Sequence, residues 1–154
     1  MLKNVTYMEK IDFEKMPELW AVCQNKECPR AGECLRFQAI SAVPERFMSW
    51  RCVTPNAWKD GECRGFQKFE TVRMARGLNR LYKEVPSRRD RQDIREELVA
   101  HFGSNGSYYR YKDGQRLLNP QQQQYILGVL RKYGCQAEDV FDEYADTYDF
   151  TRLV

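Results

Sequence analysis

The chain has no long apolar run, a single histidine and none of the short motifs that mark common enzyme sites. No apolar stretch approaches the roughly 20 residues that a membrane-spanning helix needs, and the mean hydropathy is −0.74. The histidine, His101, is predicted to lie near the apolar face of a helix as an ordinary structural residue. No glycine-rich phosphate loop follows a predicted strand, and no serine nucleophile elbow occurs. We therefore expect no membrane association, no enzymatic activity and no small-molecule substrate.

The composition is that of a folded protein. Of the 154 residues, 42% are hydrophobic and 13% are aromatic, which is enough for one packed core. The length predicts about one domain or two very small ones. Residues 1–7 lack the apolar core of a secretion signal, so a cytoplasmic location is expected.

Charge is distributed unevenly along the chain. Residues 64–95 carry ten basic and four acidic side chains, whereas residues 135–154 carry one basic and six acidic side chains. A basic middle segment favours a polyanion or an acidic protein surface as the partner. The acidic end is predicted either to repel that partner or to fold back on the basic segment.

Five of the six cysteines lie between residues 23 and 63. They are Cys23, Cys28, Cys34, Cys52 and Cys63. Prolines and glycines interrupt residues 21–66 too often for long helices. The segment therefore needs covalent cross-links or a bound metal ion to stabilise its fold. Thiols persist in a reducing compartment, and thiolates bind zinc tightly. We therefore predict structural zinc. Cys28, Cys34, Cys52 and Cys63 form two well-separated pairs, and Cys23 is an alternative ligand. Buried free thiols, an iron–sulfur cluster and disulfides remain alternatives.

The spacing of the first three cysteines is similar to that of a known protein family. The pattern Cys23-x4-Cys28-Pro29-x4-Cys34-Leu35-Arg36 resembles that of a family of small cysteine-rich bacterial proteins of unknown function. The resemblance implies no activity.

Helical periodicity begins after the cysteine segment. Residues 67–85 are predicted to form an amphipathic helix, with Arg73, Arg76, Arg80 and Lys83 on the face opposite the apolar one. Ser87 is the predicted N-cap of a helix that ends at Gly103, and Asn119-Pro120 begins another that ends at Gly134. A last short helix is expected over residues 137–144.

Residues 88–145 resemble the helix-turn-helix domain of phage-repressor-type regulators. The matching positions are Leu98, Gly103, Ser104, Arg110, Gly114, Pro120, Ile126, Leu130 and Phe141. The resemblance implies a helix-turn-helix segment over residues 88–118, with Tyr108 and Tyr111 facing inward. Gly106 departs from the pattern, since glycine inside a helix costs about 1 kcal/mol relative to alanine. The alternatives are a β-hairpin over residues 107–118 with its turn at Asp113-Gly114, or an irregular loop.

These features together predict a mainly α protein in two parts. Residues 1–66 would form a small irregular cysteine-rich metal-binding module, and residues 67–154 a helical, helix-turn-helix-like domain with an acidic end. The predicted function is a non-enzymatic, zinc-stabilised regulator that binds DNA. The predicted DNA-binding residues are Arg73, Arg76, Arg80, Lys83, Asn105, Ser107, Tyr109, Arg110, Lys112 and Arg116. The alternatives are an adaptor that docks an acidic protein, or an iron–sulfur or thiol redox protein.

Overall fold

The chain folds into two compact units, and the first is built from two separate stretches of the sequence. The computed structural model describes residues 10–153. Unit 1 contains residues 10–71 and residues 148–153, and unit 2 contains residues 72–147. Residues 1–7, on which the expectation of a cytoplasmic location was based, lie outside the described range. None of the helices in the described part is long and apolar enough to cross a membrane.

Unit 1 consists of short elements, as its many prolines and glycines predict. It has one α-helix, α1 (Leu35–Ala39), and a hairpin of two short strands, β1 (Trp58–Lys59) and β2 (Glu62–Cys63). The hairpin turn has positive φ at both Asp60 and Gly61, which is typical of a type I′ turn. Four 3-10 turns complete the described part of the unit: Phe13–Lys15, Ala31–Glu33, Ile40–Ala42 and Pro55–Ala57.

The core of unit 1 includes residues from the end of the chain. Trp20 and Leu35 are fully buried, and the ring of Phe150 lies edge-on to Trp20 with 4.9 Å between the centroids. Tyr148 stacks on Phe69 at 5.5 Å. The last residues of the chain are therefore part of the packing of unit 1.

Unit 2 combines a two-stranded sheet with four helices. Strand β3 (Val72–Arg76) pairs antiparallel with β4 (Glu143–Thr147). Between the strands lie α2 (Asn79–Lys83), α3 (Arg88–Phe102), α4 (Asn105–Lys112) and α5 (Pro120–Lys132). The fully buried residues at the centre of the core are Ala75, Leu78, Leu81, Ile94, Leu98, Tyr108, Leu118, Ile126, Leu130 and Val140.

Several predicted helix ends in unit 2 are confirmed. The Ser87 hydroxyl accepts from the backbone N–H of Asp90 at the start of α3, and Gly103 ends that helix at φ 88°. Asn119 and Gln122 form a reciprocal capping box at the start of α5. Tyr108 is buried, as the sequence predicts.

Two predicted helices are wrong. Residues 67–85 do not form one helix, because residues 72–76 form β3 and only residues 79–83 form α2. Gly77, at φ +78°, separates the two elements, so the four cations predicted to share one helix face are divided between a strand and a short helix. Residues 137–144 do not form a helix either, since β4 begins at Glu143 and pairs with β3.

The predicted fold class is also wrong. About 40% of the described residues are helical and 13% are in strands, with two small sheets, so the protein is not a mainly α helix-turn-helix fold. The hairpin and irregular-loop alternatives for residues 107–118 are wrong as well, because Asn105–Lys112 forms α4. Among residues 10–153, no group of three or more His, Cys, Asp or Glu side chains could hold a metal ion, so the metal-binding module is not seen as predicted.

Candidate functional site

Five cysteines of unit 1 line a single cavity of about 400 Å³. They are Cys23, Cys28, Cys34, Cys52 and Cys63. These are the same five that the sequence groups as ligands. The sixth cysteine, Cys135, belongs to unit 2.

A short parallel pairing of the backbone brings Cys23 and Cys52 to the cavity. Val22 pairs with Cys52 in an isolated β-bridge, and the Val22 N–H donates to the carbonyl of Arg51 at 2.9 Å. The Val53 N–H returns a hydrogen bond to the Val22 carbonyl at 2.8 Å. Each of the two cysteines is therefore held by a neighbouring strand-like segment.

Turns and the β-hairpin position the other three cysteines. The Cys28 carbonyl accepts from the N–H of Ala31 at 3.1 Å in a tight turn. Cys34 is buried immediately before α1, where it pairs antiparallel with Lys68. Cys63 ends β2 and lies opposite the first residue of β1.

A buried arginine links three segments beside the cavity. Arg36 is only 2% exposed and donates to three backbone carbonyls. Its Nε reaches Gly65 at 2.7 Å, its Nη1 reaches Ala21 at 2.6 Å and its Nη2 reaches Arg152 at 2.6 Å. The guanidinium also lies over the Trp20 ring, 4.7 Å from its centroid. All of its donating nitrogens therefore have partners, and the charge is held in one orientation.

The electrostatic environment of the cavity is set by burial and by these neighbours. Burial lowers the pKa of Arg36, and its interactions with Cys34, Cys63 and Cys23 oppose that shift. Burial also raises the pKa of the Cys52 thiol, and Cys23 adds to the rise. None of the described residues that line the cavity is an Asp, a Glu or a His. Among the described residues of the lining, thiols are therefore the only strong metal-ligating side chains.

The five thiols surround the cavity but do not converge on one point. In the described part of the chain no three of them lie close enough together to hold a single metal ion. The cavity walls between them include the rings of Phe37, Trp58 and Phe66, and the Arg30 guanidinium lies 3.5 Å from the Phe66 centroid. The site is thus a wide, largely apolar chamber with thiols around its wall.

Unit 2 has a second concave feature, an open groove of about 570 Å³. Its lining residues are Asn79, Tyr82, Arg88, Arg91, Gln92, Arg95, Tyr108, Tyr109 and Lys112. The hydroxyls of Tyr82 and Tyr108 lie 2.6 Å apart at the groove, and burial raises the pKa of both tyrosines. We call this feature the cationic groove.

The structure divides the predicted DNA-binding residues. Only Tyr109 and Lys112 line the cationic groove. Asn105 lies beside it, because its Oδ1 accepts from Arg95 Nη2 at 3.3 Å. Ser107 is half-buried, and Lys83, Arg110 and Arg116 are exposed without lining the groove.

The remaining predicted cations have partners within unit 2. Arg73 lies over the ring of Tyr144 at 3.9 Å. Arg76 donates to the Gly114 carbonyl at 2.6 Å and lies 3.9 Å from Glu143. Arg80 pairs with Asp139 at 3.3 Å. The acidic end therefore folds back on the basic segment, which is one of the two outcomes that the charge pattern allows.

Sequence reasoning missed the arginines that α3 contributes. Arg88, Arg91 and Arg95 recur at intervals of three and four residues, which places them along one face of a helix. That spacing was available in the sequence as a signal. The helix-turn-helix resemblance instead implies contacts from Asn105–Lys112, which form α4.

The fold and the cavity define a two-unit α+β protein with a thiol-lined chamber in one unit. The chain belongs to DUF6078, a family of unknown function that matches residues 2–150. The expected resemblance to a family of unknown function is thus confirmed at that level. No curated protein and no solved structure matches the chain.

Proposed function

We propose that the protein binds an iron–sulfur cluster in the cavity of unit 1 and uses it as a one-electron redox group. The observation that carries this proposal is that five cysteines from separate segments line one chamber that no carboxylate or histidine of the described residues enters. A donor set made only of thiolates selects soft or borderline metals such as zinc or the iron of iron–sulfur clusters.

The size of the chamber favours a cluster over a zinc ion. Zinc holds four ligands at about 2.3 Å for each sulfur, which brings the sulfurs close together. The described cysteines do not form such a group, and the cavity of about 400 Å³ is far larger than one ion. A [4Fe–4S] cluster instead has its cysteine ligands around a core several ångströms across.

The surroundings of the cavity suit an anionic group. A cluster bound by four thiolates carries net negative charge, and the buried guanidinium of Arg36 is a fixed positive charge beside the cavity. Aromatic rings lie among the thiols on the cavity wall. The positive charge stabilises an anionic cluster, and net charge is also one of the factors that set the reduction potential of such a cluster.

The number of thiols favours electron transfer over catalysis at an open iron. Four cysteines are enough to ligate every iron of a cubane cluster, and the cavity offers five. A fully ligated cluster has no vacant iron for substrate. We therefore propose a redox role for the cluster, and one cysteine remains as a thiol.

Anaerobic reconstitution tests this proposal. The reduced full-length protein is incubated with ferrous iron and sulfide, desalted, and assayed for iron, acid-labile sulfide and visible absorbance. We expect about four irons and four sulfides per chain and an electron paramagnetic resonance signal after reduction. One tightly bound zinc per chain without sulfide-dependent absorbance would overturn the cluster in favour of zinc. Failure to retain any metal would overturn both.

Cysteine-to-serine variants identify the ligands. Each of the five cavity cysteines is replaced in turn, and Cys135→Ser in unit 2 is the matched control. We expect four of the five cavity variants to lose most of the iron, while Cys135→Ser keeps it. Tryptophan fluorescence of each metal-free variant separates loss of ligation from loss of folding. Equal iron content in all six variants would contradict ligation by the cavity.

A further inference from the structure

The cationic groove of unit 2 concentrates positive charge without a compensating acid in its lining. Arg88, Arg91 and Arg95 come from α3, and Lys112 comes from the end of α4. The described residues that line the groove include no carboxylate. Three carboxylates contact lining residues from outside: Asp113 lies 3.8 Å from Lys112, Asp142 accepts from Asn79 Nδ2 at 3.0 Å, and Glu96 accepts from Gln92 Nε2 at 3.2 Å. Like charges held close together repel, so such a cluster favours an anionic ligand.

Two of the four acidic residues of α3 form ion pairs outside the groove lining. Asp93 lies 4.0 Å from Arg89, and Glu97 accepts a 2.5 Å hydrogen bond from Lys132. By contrast, the Arg88 side chain has no hydrogen bond or ion pair with any described residue. Arg88 is therefore an unpaired cation of α3 at the groove, while Asp93 and Glu97 are paired with other cations.

Two contacts fix the cations that form the sides of the groove. Arg91 Nη1 donates to the Val85 carbonyl at 2.9 Å, and Lys112 Nζ donates to Asn79 Oδ1 at 2.8 Å. Both cations are thus held in place before any ligand arrives. Pre-organisation of this kind reduces the entropy lost on binding.

The length of the groove indicates more than one phosphate. Arg88 and Arg95 are seven residues apart, which corresponds to about 10 Å along a helix. That length leaves room for two phosphates, one near each end, so a ligand with a repeating negative charge fits the groove. A polyanion of this kind binds with strong salt dependence because its counterions are released.

An exposed tyrosine at the groove adds a surface for stacking. Tyr109 is 42% exposed, and its hydroxyl accepts from Arg95 Nη2 at 3.1 Å. The Arg95 guanidinium lies 5.6 Å from the Tyr109 centroid, which holds the ring in place. Unstacked bases of a single strand bind to such rings beside a cationic track. We propose that the cationic groove binds single-stranded nucleic acid, which is an activity independent of the cluster in unit 1.

Fluorescence anisotropy with a labelled single-stranded oligonucleotide of about 20 residues tests the proposal on the full-length protein. Four phosphate contacts predict a log–log salt slope of about −2.8, from roughly −0.7 for each contact. Arg88→Ala should weaken binding severalfold and reduce the slope by about 0.7. Arg89→Ala is the matched control, because it removes the same charge from the next residue and its side chain is 90% exposed and pairs with Asp93. Equal losses in the two variants would overturn the assignment to the groove.

A second pair of variants tests stacking. Tyr109→Ala should weaken binding of the oligonucleotide about tenfold or more. Tyr125→Ala is its control, since Tyr125 is also partly exposed but stacks on His101 and does not line the groove. Tripolyphosphate should compete only weakly, since it offers no base. Three results would each refute the proposal. They are competition by tripolyphosphate as strong as that by unlabelled oligonucleotide, tighter binding of duplex than of single strand, and no binding of the oligonucleotide at about 50 mM salt.

Discussion

Replacing Arg36 with methionine tests whether a single buried guanidinium holds unit 1 together. Methionine is unbranched and of similar length, so it fills much of the space without donating hydrogen bonds. The carbonyls of Gly65, Ala21 and Arg152 would each lose a donor at 2.6–2.7 Å. Because these three residues lie far apart in the sequence, the loss would affect three segments at once.

The expected cost follows from the number of carbonyls left without a donor. A buried acceptor without a partner costs about 1–3 kcal/mol. Removal of a buried charge returns part of the desolvation free energy, which lowers the total. We therefore expect Arg36→Met to lower the free energy of unfolding of unit 1 by about 3–5 kcal/mol.

Urea denaturation followed by tryptophan fluorescence measures this change. All three tryptophans, Trp20, Trp50 and Trp58, lie in unit 1, so the signal reports on that unit. The metal-free reduced protein is used, so that cofactor binding does not contribute. Arg51→Met in unit 1 is the control, because the Arg51 side chain is exposed, and it should change stability by less than about 0.5 kcal/mol. A loss for Arg36→Met of less than about 1 kcal/mol would refute the reasoning.

Two further predictions concern unit 2, and both are measured by urea denaturation followed by far-UV circular dichroism. Gly77→Ala should cost about 2–4 kcal/mol, because φ is +78° and the new Cβ would lie 2.2 Å from Asp142 Oδ2. Gly103→Ala has similar backbone strain at φ +88°, but no atom lies within 4 Å of the new Cβ, so it should cost only about 1 kcal/mol. Equal costs for the two variants would contradict a steric clash between the Cβ at position 77 and Asp142. Tyr82→Phe should cost about 1–2 kcal/mol at pH 7, because the Tyr108 hydroxyl loses its 2.6 Å partner. Burial raises the folded-state pKa of Tyr82, so wild-type stability should be complete below about pH 10 and fall above it. The variant should lose less above pH 10, and parallel pH profiles would contradict this explanation.

The sequence predicts well those parts of unit 2 whose signals are local. Ser87, Gly103 and the Asn119-Pro120 pair each act through backbone groups within a few residues, so their capping roles can be read without knowledge of the tertiary fold. The existence of α3 and α5 follows from those signals together with apolar periodicity.

The sequence fails where a distant partner decides the local structure. Met74, Ala75, Leu78 and Leu81 fit a helical period, yet a strand followed by a short helix buries the same four residues. Strand β3 forms because β4 pairs with it, with Met74 opposite Ala145. A partner about 70 residues away leaves no trace in the local periodicity, and tertiary pairing overrides helix propensity.

At the candidate cofactor site too, features that depend on nearby residues can be predicted from the sequence, and features that depend on distant residues cannot. The clustering of the five cysteines in the sequence is enough to identify them as candidate ligands, because a segment rich in proline and glycine needs cross-links or a metal ion to stabilise it. The arginine beside them carries no such signal, since its role depends on a carbonyl 116 residues away at Arg152 and on the packing of Phe150 against Trp20. Those contacts bring residues 148–153 into unit 1. The gathering of all five thiols around one cavity also comes from the fold, and the sequence alone does not reveal it.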